Sequence, residues 1–207
     1  MSAVTVRGLV RRFGSVRVLD SIDLTVSPGS HVAITGANGA GKTTLLRVLA
    51  GLLRPTAGSV EVLGGTIDDP GVRKRIGFVG HLSSLYPRMT PLENIRFWSN
   101  IYEAPEATER GRGLLAQLGL DPDDRRKVGS YSQGMRQRVA IVRALCIAPD
   151  LVIADEPLAG LDADGARVVA SMLGQARTVV LATHDRTPFP QAGLYALDRG
   201  RLQPVQR

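Results

Sequence analysis

The sequence is poor in cysteine, in lysine and in long apolar runs. Cys146 is the one cysteine of 207 residues. No disulfide can close within the chain, and a reducing cytoplasm is compatible with it. The neighbourhood Val142–Ile147 predicts a packed core thiol. No apolar run approaches the roughly 18–20 residues that span a bilayer, and Met1-Ser2-Ala3-Val4 does not begin a secretion signal. Lysine occurs only at Lys42, Lys74 and Lys127, so arginine supplies most of the net charge of +7. Such a balance suits an anionic membrane face or a nucleic acid. A solvated arginine-rich surface in a composition biased toward Arg, Ala, Gly and Val is the alternative, and charge alone does not decide. The basic residues are scattered, without the basic helix or aromatic-interleaved patch that reads bases, so no nucleic-acid partner is expected. Repeats and low-complexity tracts are also missing, and the length suits one domain able to bury a core.

What is present is organised around Gly36-Ala37-Asn38-Gly39-Ala40-Gly41-Lys42-Thr43-Thr44. The apolar run Val32-Ala33-Ile34 precedes it and the helix-forming Leu45–Ala50 follows. Strand, glycine loop and helix start are the context in which G-x-x-x-x-G-K-[ST] forms a phosphate cradle. Glycines let backbone N–H groups turn inward around phosphates, and a helix N-terminus adds partial positive charge. In that setting Lys42 neutralises β- and γ-phosphates and the Thr43 hydroxyl ligates Mg²⁺. A nucleoside triphosphate with Mg²⁺ is the expected ligand.

Along the chain, Thr5–Arg7 and Val16–Val26 alternate like half-buried strands, with a turn expected over Arg11–Gly14. A strand is expected over His31–Ile34, then a helix to about Leu53, stopped by Arg54–Gly58. Further strands are expected at Ser59–Leu63 and Ile76–Val79, with a short helix over Asp69–Arg75 between them. From about Pro91 to Ala148 the periodicity is helical, broken at Pro105, Pro122 and Gly129. Leu151–Ala154 and Thr178–Ala182 read as buried parallel strands, and Gly193–Leu197 with Arg201–Val205 as a small terminal hairpin. The expected architecture is α/β: a nucleotide core with a parallel sheet (1–90 and 149–207), a helical insertion (91–148), and an antiparallel β flank from the N-terminus.

Asp155-Glu156 closes the strand Leu151–Ala154. Asp155 is placed to hold Mg²⁺, and Glu156 to polarise an attacking water at the γ-phosphate; positioned general bases contribute about 10²–10⁴ in rate. His184 follows the last core strand, where an imidazole can sense the γ-phosphate. Between these motifs, Tyr131-Ser132-Gln133-Gly134-Met135 opens an amphipathic helix, with Ser132 as N-cap. A hydroxyl and bare amides at a helix start make a second anion site. It lies in the helical insertion, out of reach of this chain's own nucleotide but within reach of one held by a second copy.

This ordered set is similar to the ATP-binding subunits of ATP-binding cassette (ABC) transporters, over essentially the whole chain. The resemblance implies that Phe13 stacks on adenine, that Gly36–Thr44 is the Walker A loop, and that Asp155-Glu156 is the Walker B. It likewise makes Ser132–Met135 the signature, Asp162 the D-loop aspartate and His184 the switch histidine. It implies an ATP-sandwich dimer in which Ser132, Gln133 and Gly134 of one copy face the ATP of the other. It also implies separate multi-spanning membrane subunits docking near Leu82–Trp98, where Leu85, Tyr86, Met89, Phe97 and Trp98 form an apolar, aromatic surface, and a peripheral position on the cytoplasmic face of the membrane.

Two departures stand out. The usual L-S-G-G-Q reads Tyr131-Ser132-Gln133-Gly134-Met135, which keeps the serine and the second glycine. His81 occupies the usual Q-loop glutamine position, as an alternative Mg²⁺ or water contact with one lone pair instead of an amide fork. Ile76–His81 followed by Met89–Phe97 resembles the G-H…L-T-x-L-E-N-L-x-F segment of haem-exporter ATP-binding subunits of cytochrome c maturation. Drug or lipid exporter ATPases share these segments loosely. A soluble non-transport cassette normally carries two cassettes or a long coiled coil, and a small-molecule kinase leaves Ser132–Gly134 and Asp162 without a role.

Overall fold

The computed structural model describes residues 2–80, 85–185 and 187–205. Two sheets form. The first is antiparallel, in the order β2-β1-β4-β5, from β1 (Val4–Phe13), β2 (Val16–Val26), β4 (Ala57–Val62) and β5 (Gly65–Thr66). The second runs β10-β9-β3-β8-β7-β6, from β3 (His31–Thr35), β6 (Ile76–Val79), β7 (Leu151–Asp155), β8 (Val179–Ala182), β9 (Gly193–Asp198) and β10 (Arg201–Pro204). Its strands are parallel except the edge strand β10.

Helix α1 (Lys42–Leu49) is packed between the sheets, burying Leu45, Leu46, Val48 and Leu49 completely. On one side it meets Val6, Leu24 and Val62 of the antiparallel sheet, and on the other Ile34, Leu151, Ile153 and Val180 of the parallel one. The opposite face of the parallel sheet presents Val79, Val152, Ala154 and Leu181 to a second core built with the later helices. These are α3 (Pro91–Tyr102), α4 (Ala107–Gln117), α5 (Gln133–Leu145) and α6 (Ala163–Gln175), α2 (Pro70–Arg73) being a single turn before β6. Burial on both faces explains why β7 and β8 read as unbroken apolar runs rather than alternating ones. Among the described residues no helix is long and apolar enough to cross a membrane.

Two local expectations are corrected. Helix α1 ends at Leu49, short of Leu53, because Gly51 adopts φ +70° and closes a Schellman motif: its N–H bonds Val48 O at 3.0 Å and that of Leu52 bonds Arg47 O at 2.8 Å. The stop therefore precedes Pro55. Arg11–Phe13 is not a turn; Arg12 pairs with Arg17 and Phe13 with Val16, leaving Gly14-Ser15 as a two-residue hairpin connection. The expected terminal hairpin forms, Arg201 pairing with Asp198, and its first strand β9 lies parallel to β3 with Val32 opposite Gly193, so it extends the core sheet.

Helix α3 is started by a capping box, Thr90 Oγ1 accepting from Glu93 N–H at 3.2 Å and Glu93 Oε2 from Thr90 N–H at 2.7 Å. Helix α5 lies directly on β6: a Cβ on Gly77 would stand 2.4 Å from Ala144 O and 2.8 Å from Pro149 Cγ. Both contacts are too rigid to yield. Gly77→Ala is therefore expected to cost about 1–3 kcal/mol of stability by overpacking, read as a lowered urea midpoint; an unchanged midpoint would show that α5 can move off the strand freely.

Candidate functional site

Parallel pairing sets Ile34 beside Ala182 and Ala182 beside Asp155, so β3, β8 and β7 end at one edge. The loops leaving those ends carry Gly36–Thr44, His184 and Asp155-Glu156, and the carboxyl edge of a parallel sheet is where such folds bind ligands. A cleft of about 540 Å³ opens there, lined by Ala37 to Thr44, Asp155, Glu156 and His184, with Val18 and Ala159 completing the wall.

The cradle depends on close backbone packing. Gly36 has φ +154°, and a Cβ there would fall 2.2 Å from Leu197 O of β9. Lys42, 8% exposed, donates through Nζ to Gly36 O at 2.7 Å and Ala37 O at 3.2 Å, folding its charge back over the loop. The Thr43 hydroxyl donates to Asp155 Oδ2 at 2.6 Å, with Asp155 itself buried. That couples the first turn of α1 to the end of β7, and brings an alcohol and a carboxylate, hard oxygen donors, to one point.

Glu156 adopts φ +49°, a left-handed conformation that costs a side-chain-bearing residue roughly 1–2 kcal/mol. Its N–H is tied to Ala182 O at 3.0 Å. Its Oε1 is buried without a hydrogen-bond partner, and His184 Nε2 stands 3.4 Å away without hydrogen-bond geometry. A strained backbone and an unsatisfied carboxylate oxygen at a cleft wall mark a residue kept for something other than stability.

The signature residues lie apart from the cleft. Ser132 caps α5, its Oγ accepting from Met135 N–H at 3.2 Å. Gln133 packs against Gly160, and a Cβ on Gly134 would lie 2.7 Å from Gly160 O, so this helix start and the loop after β7 are in contact. Asp162 caps α6 through Gly165 N–H at 2.9 Å and takes Arg138 Nη2 at 2.7 Å. The Gly165 amide first, then the Arg138 guanidinium, hold the Asp162 carboxyl below its ordinary range. Phe13 sits at the β1–β2 hairpin tip, 44% exposed, with the Arg11 guanidinium 4.5 Å over its ring. His81, with Leu82–Ser84, lies outside the described residues. The rest of the aromatic surface forms as a cluster: Tyr86 on Phe97 at 4.6 Å, Phe97 on Trp98 at 5.8 Å, and Trp98 beside Tyr102 at 5.9 Å.

Sequence reasoning missed Val18, which reaches the cleft only through sheet folding and carries no local signal. It also missed two ties of α5: Gln137 Nε2 to Pro157 O at 3.1 Å and Arg138 to Asp162. Both residues follow directly on the signature, and that position was the available clue.

A glycine cradle on a helix start, with a hydroxyl–carboxylate pair and a second carboxylate beyond it, defines a nucleoside-triphosphate-hydrolysing P-loop protein. The profile of the ABC transporter family matches residues 19–159. The chain is 39% identical to the L-cystine transport system ATP-binding protein TcyN of Escherichia coli K12, over 98% of this chain and 89% of that protein. It is 38% identical to the daunorubicin resistance ATP-binding protein DrrA3 of Streptomyces coeruleorubidus, over 97% and 67%. The dimeric ATP-binding cassette MJ0796, solved in a post-hydrolysis state with ADP and Pi, superposes with a TM-score of 0.86 at 26% identity, covering 99% of both chains. The chain belongs to the ABC transporter family, as an ATP-binding subunit whose ATP hydrolysis is coupled to transport.

Replacing Glu156 by glycine removes the left-handed strain and the orphaned oxygen together, at the cost of a more flexible unfolded chain. Glu156→Gly is expected to raise the urea midpoint, equivalent to about 1 kcal/mol; a lowered midpoint would show that the Glu156 side chain holds its loop.

Proposed function

We propose that two copies of this chain pair head to tail around two ATP molecules and drive a transporter whose membrane-spanning subunits are separate chains. One observation carries the reading: the cleft holds Lys42, Thr43, Asp155, Glu156 and His184 but not Ser132–Gly134. The anion-binding start of α5 then serves a nucleotide held by another copy. The dimeric state of the MJ0796 cassette supports this arrangement.

In this reading Lys42 exchanges its two carbonyl partners for the β- and γ-phosphate oxygens. Thr43 and Asp155, already 2.6 Å apart, are the pair that would hold Mg²⁺. A Mg²⁺ ion bound there supplies charge neutralisation for the leaving phosphate oxygens. Glu156 accepts the proton of the attacking water; its unpaired Oε1 is available for that contact. His184, beside it, donates to the γ-phosphate. Phe13 offers its exposed ring to adenine, and Asp162 positions the loop that lies under Gly134. His81 takes the Q-loop position.

We assign 1–90 and 149–207 to the nucleotide core with its β flank and 91–148 to the helical signature region. The membrane subunits dock on the face around Leu82–Trp98, and the chain works as a peripheral subunit on the cytoplasmic side of the membrane. For the cargo, we propose haem export in cytochrome c maturation, from the likeness of Ile76–His81 and Met89–Phe97 to that group. A drug or lipid exporter is the second reading, favoured by the 38% identity to the daunorubicin resistance protein.

Glu156→Gln removes the base and is expected to hold an ATP-bound dimer that static light scattering registers at twice the monomer mass; a variant that stays monomeric in saturating ATP overturns the sandwich. The tagged chain, purified from detergent-solubilised membranes, is expected to bring with it multi-spanning subunits and a haem-handling membrane protein, identified by mass spectrometry. A single unrelated permease would discard haem and keep the motor, and only soluble partners would discard both.

A further inference from the structure

The first signature position carries a phenol, and the structure shows what its hydroxyl does. Tyr131 is 3% exposed, its ring among the side chains of the helical-side core. Its OH donates to Asp124 Oδ2 at 2.8 Å. That carboxylate is also gripped by Arg126, whose Nη2 and Nε reach the same Oδ2 at 2.7 and 2.9 Å and whose N–H reaches Oδ1 at 2.8 Å. The same guanidinium lies over the Tyr131 ring, 5.2 Å from its centroid. The Tyr131 carbonyl is held separately by Arg136 Nη1 at 2.6 Å. Burial, then the bond to Asp124, push the phenol up to about 12, so it remains a donor throughout the neutral range. Arg126 holds the Asp124 carboxyl well below its ordinary range, so the acceptor remains charged.

An aliphatic side chain at this position would fill the same pocket and leave the orientation of the turn to packing alone. The charged hydrogen bond adds a direction. It ties the residue next to Ser132 to a carboxylate seven positions upstream, across the 3-10 turn Val128–Ser130. Displacements of about 1 Å in a positioning element can cost on the order of 10² in rate, and only one peptide unit separates this anchor from the Ser132 hydroxyl.

We infer that Tyr131 is a positioning residue: through Asp124, and with Arg126 clamping both, its hydroxyl sets the orientation in which Ser132 meets the γ-phosphate held by a second copy. The inference rests on the ATP-sandwich reading above. The hydroxyl contributes to pairing between copies and not to the nucleotide site within one copy.

The test uses the full chain with Glu156→Gln, titrated with ATP and Mg²⁺ while light scattering follows dimer formation. Adding Tyr131→Phe keeps the ring, its burial and its contact with Arg126. It is expected to raise the ATP concentration for half-maximal pairing about three- to tenfold. The affinity for ADP, which has no γ-phosphate for Ser132 to meet, is expected to stay unchanged, while the melting temperature falls by a few degrees with the lost charged hydrogen bond. Asp124→Ala, approaching the bond from its other end, is expected to give a similar shift, and the two changes combined no further one, as a shared interaction requires. An unchanged midpoint in Tyr131→Phe overturns the inference while leaving the sandwich intact. A parallel fall in ADP affinity also overturns it, by showing that the hydroxyl supports the nucleotide site of one copy as well. If Glu156→Gln alone fails to pair, the sandwich fails, and the inference with it.

Discussion

The registry of three parallel strands is the constraint on which the rest of the molecule depends. β3, β8 and β7 are adjacent and run the same way, with Ile34, Ala182 and Asp155 side by side. Segments more than a hundred residues apart in sequence therefore leave the sheet at one edge. The Thr43–Asp155 hydrogen bond is the local expression of this arrangement, since it joins the helix after β3 to the end of β7. A one-residue slip in a sheet buried on both faces would turn every side chain to the opposite core. The geometry of the cleft is thus protected by the same packing that makes the protein fold.

In the proposed dimer the chemistry is divided between two places that a single chain keeps apart. One holds the phosphate loop, the carboxylates and His184; the other is the start of α5 with Ser132 and Gly134. They are connected through the chain by the segment after β7, where Gly160 touches Gln133 and Gly134, Pro157 O accepts from Gln137, and Asp162 accepts from Arg138. The end of β7 and the start of the signature helix are thus in direct contact through backbone packing and short polar bonds. The altered signature fits this picture. Tyr131 is anchored both by its buried ring and by its bond to Asp124, while Gln133 packs over Gly160.

Much of this was legible in the sequence, for a physical reason. The phosphate loop, Asp155-Glu156 and the Ser132 cap are contiguous motifs whose conformations are set locally by glycine, by a strand end and by a helix start. Long-range pairing left no such mark. The membership of β9 in the core sheet depends on Val32 opposite Gly193, far away along the chain. The early stop of α1 was obscured because Pro55 is the stronger breaker on paper, whereas the Gly51 carbonyl-capping bonds act first. The left-handed backbone of Glu156 and the Tyr131–Asp124 bond were equally invisible, one being a torsion angle and the other a contact across a 3-10 turn.

β7 is shared by both cores. Leu151 and Ile153 belong to the core shared with α1, while Val152 and Ala154 belong to the core shared with the later helices, and all four are fully buried. The strand is a party wall between two hydrophobic compartments, so neither can melt while the other stays dry on its far side. Segments of this kind open only with the whole molecule, and their amide protons exchange last. Asp155 and Glu156 hang from the end of that wall, so the carboxylates are carried by the part of the chain least subject to local opening.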